Sequence, residues 1–175
     1  DTVIQGRDWL DLMKAPFLEQ RKCGMSGPMK FIGEPDKSND FIMMFCCMTT
    51  RAVVNDIGEL DEQFAPGGVE DVDYGLRLLL AGYELVQVPE NNIVEFEPDM
   101  STGAYPIYHQ GNATYQDEPG WHANLIRNNK RLKAKFPEYF KGLTWIEEMA
   151  ATEPSSLDFP ALHERMKEAD DWLHW

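Results

Sequence analysis

From position 71 onward, Val72, Leu76, Leu79 and Leu80 recur at helical spacing, so one face of a helix is apolar until Gly82 ends it. Residues 7–21 carry Trp9, Leu10, Met13, Phe17 and Leu18 at three-four spacing, which predicts an amphipathic helix despite Pro16 in its later half. Gly24, Gly27 and Pro28 then break the pattern. Residues 41–50 are a continuous apolar run, rich in Met and Phe, whose length and polar flanks predict a buried strand. A short helix closed by Gly58 is predicted over Arg51–Ile57, and residues 83–88 alternate as a strand ended by Pro89. Residues 90–106 read as strand plus loop, and Ile107–His109 as a further strand-like segment.

After Gly120 the pattern is helical again, with Trp121, Leu125, Leu132 and Phe136 on one face and Asn128 among them. An inward Asn needs hydrogen-bond partners. The same helix carries Arg127, Lys130, Arg131, Lys133 and Lys135, the densest basic patch of the chain. The plain reading is a solvated face or a complement to the helix C-terminus, and the functional one is phosphate binding. Residues 152–160 form a Pro-containing polar linker before a last amphipathic helix with Leu162, Met166, Ala169 and Leu173, which ends in Trp172 and Trp175. Strands interspersed with helices make the fold class α/β.

The chemistry concentrates just before the first of these helices. Gly67 and Gly68 lead into Glu70, Asp71 and Asp73, three carboxylates within four residues. Acidic residues in a first helical turn suit the helix dipole, which explains Glu70 and Asp73 without any function. A Gly pair delivering the cluster is what a site admitting a ligand close to the backbone requires. Asp71, at the centre, has the chemistry either to hold a cation or to accept a proton from a hydroxyl. Asp73 and Arg77, four apart, read as an ordinary helical ion pair. His109, at a strand end before a Gly-containing loop, is a candidate metal ligand, although a lone His is more commonly structural. No nucleophilic-serine, phosphate-loop, dinucleotide or zinc pattern is present in the sequence.

At 175 residues the chain is long enough for one domain with a core, and no apolar run is long enough to span a membrane. A net charge of −14 argues against nucleic acid or an anionic membrane surface as a partner and favours a divalent cation. Cys23, Cys46 and Cys47 suit neither a disulfide framework nor a metal knuckle, which points to a reducing, cytoplasmic setting. The opening, Asp1-Thr2-Val3-Ile4, reads as the interior of a longer chain, so a fragment is expected.

Taken together these residues resemble the family 2-like glycosyltransferases of the GT-A fold, and specifically the later half of such a domain. The resemblance rests on Gly58-Glu59-Leu60-Asp61-Glu62-Gln63-Phe64, then Glu70-Asp71-Val72-Asp73, Arg77, Ala81-Gly82-Tyr83 and Pro89. The Gly67-Gly68 pair before the acidic cluster is also similar to the corresponding loop of the β-1,4-galactosyltransferases. Asp1-Thr2-Val3 followed by Asp8-Trp9-Leu10 resembles the family's junction after its Asp-x-Asp motif. His109-Gln110-Gly111-Asn112-Ala113-Thr114 resembles its metal-binding segment, and Asn128 with Lys135-Phe136 its closing helix.

The resemblance implies a GT-A-like nucleotide-diphospho-sugar transferase fold, a mixed sheet with flanking helices, over residues 1–140, the nucleotide-binding first half having no counterpart here. Residues 141–175 match nothing in the family and read as a linker and a C-terminal helix. It further implies that Asp71 is the base that deprotonates an acceptor hydroxyl, with inversion at the sugar, in polysaccharide biosynthesis. Asp1 and His109 would hold Mn²⁺ or Mg²⁺ on a nucleotide-sugar donor, with Glu95 and Glu97 competing for the place of His109. Gly67, Gly68 and Glu70 would contact the saccharide acceptor, and Trp121 would stack on it. An uncovered face where the first half would pack predicts self-association. The competing expectation is a non-catalytic saccharide- or partner-binding fragment, and a metal-dependent phosphohydrolase is a weaker third, since it lacks a water-activating ligand set.

Overall fold

The centre of the fold is a strand that the glycine pattern hides. In the computed structural model, which describes residues 2–4, 7–19, 22–31, 40–88, 107–109 and 120–139, Cys23–Gly27 is a strand buried along its whole length. In chain order the elements are β1 (Thr2–Ile4), α1 (Trp9–Leu18), β2 (Cys23–Gly27), β3 (Lys30–Phe31), β4 (Phe41–Ile42) and α2 (Arg51–Ile57). A 3₁₀ turn over Glu62–Phe64 follows, then α3 (Glu70–Leu80), β5 (Glu84–Gln87), β6 (Ile107–His109) and α4 (Trp121–Lys135). The segments 89–106, 110–119 and 140–175, with the loop, linker and last helix expected there, lie outside the described residues, as do Asp1, Glu95 and Glu97.

Among the described residues the strands form three pairs: β2 with β5 in parallel, and β1 with β6 and β3 with β4 antiparallel. The protein is thus mixed α/β with a small parallel sheet and flanking helices. The β2–β5 register slips between Cys23 and Met25, which makes Gly24 the extra residue of a bulge. That bulge turns Cys23 to one side and Met25 to the other. Met25 packs with Ile42, Val53, Tyr74, Leu78 and Leu85 beneath α2 and α3, whereas Cys23 packs with Met13, Val86 and Val88 beneath α1. Helices therefore cover both faces of the β2–β5 pair. Ser26 Oγ donates to Met13 O at 2.7 Å and ties α1 to the strand.

Glycine in β2 answers to crowding. A Cβ at Gly24 would stand 2.6 Å from Leu78 Cδ2, and one at Gly27 2.3 Å from Ile42 Cγ2, so α3 and β4 approach as closely as they do only because no side chain is there.

The strand predicted over residues 41–50 is mostly not one. Only Phe41 and Ile42 pair as a strand; the chain then turns, and Met48 makes a single antiparallel bridge to Ser26. The reason is the division of the apolar run among three cores: Met43 faces the one around Leu76, Met44 the one around Tyr74, and Cys46 and Met48 the one around Met13. Side chains that must point three ways cannot keep the two-sided alternation of a strand. The helix predicted over residues 7–21 is shorter, Trp9–Leu18, with Pro16 buried within it.

A third core, Phe41, Phe64, Val69, Val72, Leu76, Ile126 and Leu132, joins α3 to α4. It sits directly under the acidic segment and fixes the start of α3 against the inner face of α4.

Candidate functional site

Three successive residues with positive φ precede the carboxylates: Gly67 at 154°, Gly68 at 94° and Val69 at 65°. Glycine accepts this region freely, but a β-branched Val does not, and such outliers persist only where the surroundings over-determine them. Val69 is the N-cap of α3 and offers no side-chain cap, so the helix begins because its backbone is delivered there by the loop. Its carbonyl accepts from Asp73 N at 3.0 Å as the helix starts.

The loop is held from α4. Asn128, fully buried, donates through Nδ2 to Phe64 O at 2.7 Å and Gly67 O at 2.9 Å, with Gly68 O at 3.2 Å. Asn124 Nδ2 donates to the same Gly67 O at 2.6 Å. Arg127 donates to Ala65 O at 2.7 Å, and Arg131 donates to Gln63 O. Lys135 pairs with Asp61 at 2.8 Å and with Asp73 at 2.6 Å. Three members of the basic patch that offered a phosphate site are thus committed to loop carbonyls and carboxylates.

The three carboxylates have three different fates. Asp73 has no solvent exposure and is paired with Arg77 Nε at 2.9 Å as well as with Lys135, so the expected helical pair is part of a buried network. Arg77 also donates to Ile57 O at 3.0 Å, which caps α2 from α3. Asp71 is half-buried with its carboxyl group enclosed, and it accepts from Val72 N at 2.9 Å. Burial pushes its pKa up to about 7, the Glu70 charge adds to this, and the hydrogen bonds from Val72 N and its own N oppose it. Glu70 Oε2 is buried with no hydrogen-bond partner among the described residues.

Trp121, half-buried at the start of α4, lies against this loop: a Cβ at Gly68 would stand 3.5 Å from its ring and 3.2 Å from Leu125 Cδ1. Gly67, Gly68, Glu70, Asp71 and Trp121 are therefore brought together at one junction, the N-terminal ends of α3 and α4. His109 is placed by its backbone in β6, where it pairs with Thr2, the chain neighbour of Asp1. Among the described residues no three His, Cys, Asp or Glu side chains come together as a metal-binding group. The two candidate metal ligands thus meet the structure only as a strand register, and the donor set itself lies outside what is described.

Two residues that the sequence did not place at this site, Asn124 and Cys47, belong to the junction. Asn124 has the same face as Asn128 one turn on, a spacing of four that was available in the sequence. Cys47, in the turn after β4, has its thiol pushed up to about 11 by burial, then by Cys46 and by Asp71, so it stays protonated beside the carboxylate. No sequence signal links position 47 to position 71. All three cysteines are free thiols. Among the described residues no helix is long and apolar enough to cross a membrane.

Comparison with family models, with curated proteins and with solved structures finds no match to this chain.

Proposed function

We propose that this chain is the acceptor-side half of a GT-A-type glycosyltransferase, which transfers a sugar from a nucleotide-diphosphate donor to a saccharide hydroxyl with inversion. The observation that carries the reading is Asp71: a carboxyl group at a helix start, behind a strained Gly-Gly-Val turn, whose pKa near 7 suits a base working at neutral pH. In the reaction Asp71 takes the acceptor hydroxyl proton, the freed oxygen bonds to the anomeric carbon, and the bond from that carbon to the diphosphate oxygen breaks. Glu70 Oε2, without a donor among the described residues, can accept a hydrogen bond from a second acceptor hydroxyl, and Trp121, whose ring edge lies against Gly68, would stack on the sugar. Asp1 and His109 are the proposed holders of Mn²⁺ or Mg²⁺, supported by the Thr2–His109 register. Such an ion offsets charge on the departing diphosphate.

The test is transfer by the complete protein from nucleotide sugars to saccharide acceptors with divalent metal, in wild type and Asp71→Asn. The reading expects wild-type transfer that falls at least about a thousandfold in the variant, as loss of a positioned base and its charge together would give. Full activity in Asp71→Asn would sink it. Saccharide binding without transfer would favour the non-catalytic binding fragment instead.

A further inference from the structure

The loop between the 3₁₀ turn and α3 has buried carbonyls that its own backbone does not satisfy, and α4 supplies their donors. We propose that Asn128, assisted by Asn124, is the positioning residue of the Asp71 site, holding the loop over residues 64–68 on the one backbone path that delivers Asp71 to the start of α3. Its catalytic meaning rests on the transferase reading above; the positioning itself does not.

The geometry is economical. A side-chain amide has two hydrogens, and those of Asn128 go to Phe64 O and Gly67 O at 2.7 and 2.9 Å, spanning the two ends of the loop. Gly67 O receives a second bond from Asn124 at 2.6 Å, which fixes the plane of the peptide leading into Gly68. From that peptide the chain must pass through φ 94° at Gly68 and 65° at Val69 before α3 can begin. Val69 does not hold such a conformation unaided. Its side chain is buried with Ile126 and Leu132 of α4, so the same helix grips both the carbonyls before the strained residue and the residue itself.

An ordinary core residue at position 128 would fill the space but leave Phe64 O without this donor and Gly67 O with Asn124 alone. Asn129 shows what a merely structural Asn does on this helix: it is equally buried, and its Nδ2 donates to Leu125 O at 2.9 Å within α4. Among the described residues the titratable groups that act on Asp71 are Glu70 on α3 and Cys47 in the turn after β4, whereas the hydrogen bonds of the Asn128 amide nitrogen go to the loop carbonyls. A change at Asn128 therefore reaches Asp71 through the loop.

The experiment is ¹³C NMR titration of the Asp71 carboxyl in the full chain, with amide exchange at Val72 and Asp73, in wild type, Asn128→Ala, Asn124→Ala and Asn129→Ala. Loosening the loop admits water to Asp71, so in Asn128→Ala its proton affinity is expected to fall about tenfold, with exchange at Val72 and Asp73 faster by at least as much. Asn124→Ala changes both in the same direction by less, and Asn129→Ala changes neither. If Asn128→Ala does not fold, Asn124→Ala decides. A folded Asn128→Ala or Asn124→Ala with wild-type titration and exchange overturns the proposal, and so does an Asn129→Ala that matches Asn128→Ala. Because no readout is turnover, absence of transferase activity in wild type would remove the catalytic reading and leave this result legible.

Discussion

Lys135 Nζ, at the end of α4, lies 2.6 Å from Oδ1 of Asp73, a carboxylate of α3 without solvent exposure. Arg77 reaches the other oxygen at 2.9 Å, and Lys135 continues to Asp61 at 2.8 Å. One buried charge thus joins α3, α4 and the segment leading into the 3₁₀ turn. Removing it leaves Arg77 without its carboxylate and Lys135 with Asp61 alone. Asp73→Ala is expected to lose about 3 kcal/mol or more, the usual cost of breaking a buried pair from one side. Lys135→Met leaves the Arg77 contact in place and should lose about 1 kcal/mol. Urea unfolding of both variants checks this, and equal midpoints for Asp73→Ala and wild type would make the network incidental.

Gly75 inverts a common rule. Replacing a mid-helix Gly by Ala ordinarily stabilises by about 1 kcal/mol. In α3, however, a Cβ at Gly75 would stand 2.8 Å from Asp40 O and 3.0 Å from Phe41 Cβ. The first of these is backbone and cannot rotate away, so the helix must back off β4 and open the Phe41–Leu76 core. Gly75→Ala is expected to destabilise by about 1–3 kcal/mol, read as a lower urea midpoint with an unchanged slope.

Gly75 also illustrates what the sequence could and could not tell. The apolar periodicity of Val72, Leu76 and Leu79 marks α3, because a helix packed on one face needs only that period, and Gly58 marks the end of α2. Gly24 and Gly27 instead read as breakers, because the reason they stand in a strand is the pressure of Leu78 and Ile42 from elsewhere in the chain. The acidic cluster was visible as a cluster, but the sequence holds no ranking of its members beyond the spacing of Asp73 and Arg77. Enclosure makes Asp71 a weak acid and Lys135, sixty-two positions after Asp73, makes that residue a structural charge. Arg127 and Arg131 looked like an open basic face because their partners are backbone carbonyls, which no side-chain pattern announces.

Trp121 separates binding from chemistry at the proposed site. Its ring edge lies against Gly68, and on the proposed reading it would hold the acceptor sugar in ground and transition states alike without taking part in proton transfer. Trp121→Ala is expected to raise the acceptor KM about tenfold, equivalent to roughly 1.4 kcal/mol, with kcat within about threefold of wild type. Steady-state kinetics with varied acceptor checks the split. A large fall in kcat with unchanged KM would move Trp121 from holding the sugar to orienting the loop.

The raised pKa of Asp71 makes opposite demands on stability and on the proposed activity. Its folded value, about 7, lies above that of an exposed carboxylate, so between about pH 4 and pH 7 the folded chain binds the proton that the unfolded chain releases. With fewer protons on the unfolded state, stability falls as pH rises through that window and levels off above it. Asp71→Asn carries no charge to desolvate, so it should be no more stable than wild type near pH 4 and more stable at pH 8. On the proposed transferase reading transfer would run the other way: a base must be ionised, so kcat/KM is expected to rise with pH to a plateau above about 7, where the protein has already lost this part of its stability. Urea midpoints of wild type and Asp71→Asn across pH 4 to 8, beside the pH profile of kcat/KM, measure both limbs. If the difference in midpoint is flat with pH, Asp71 is an ordinary solvated carboxylate, and its strained turn serves the fold alone.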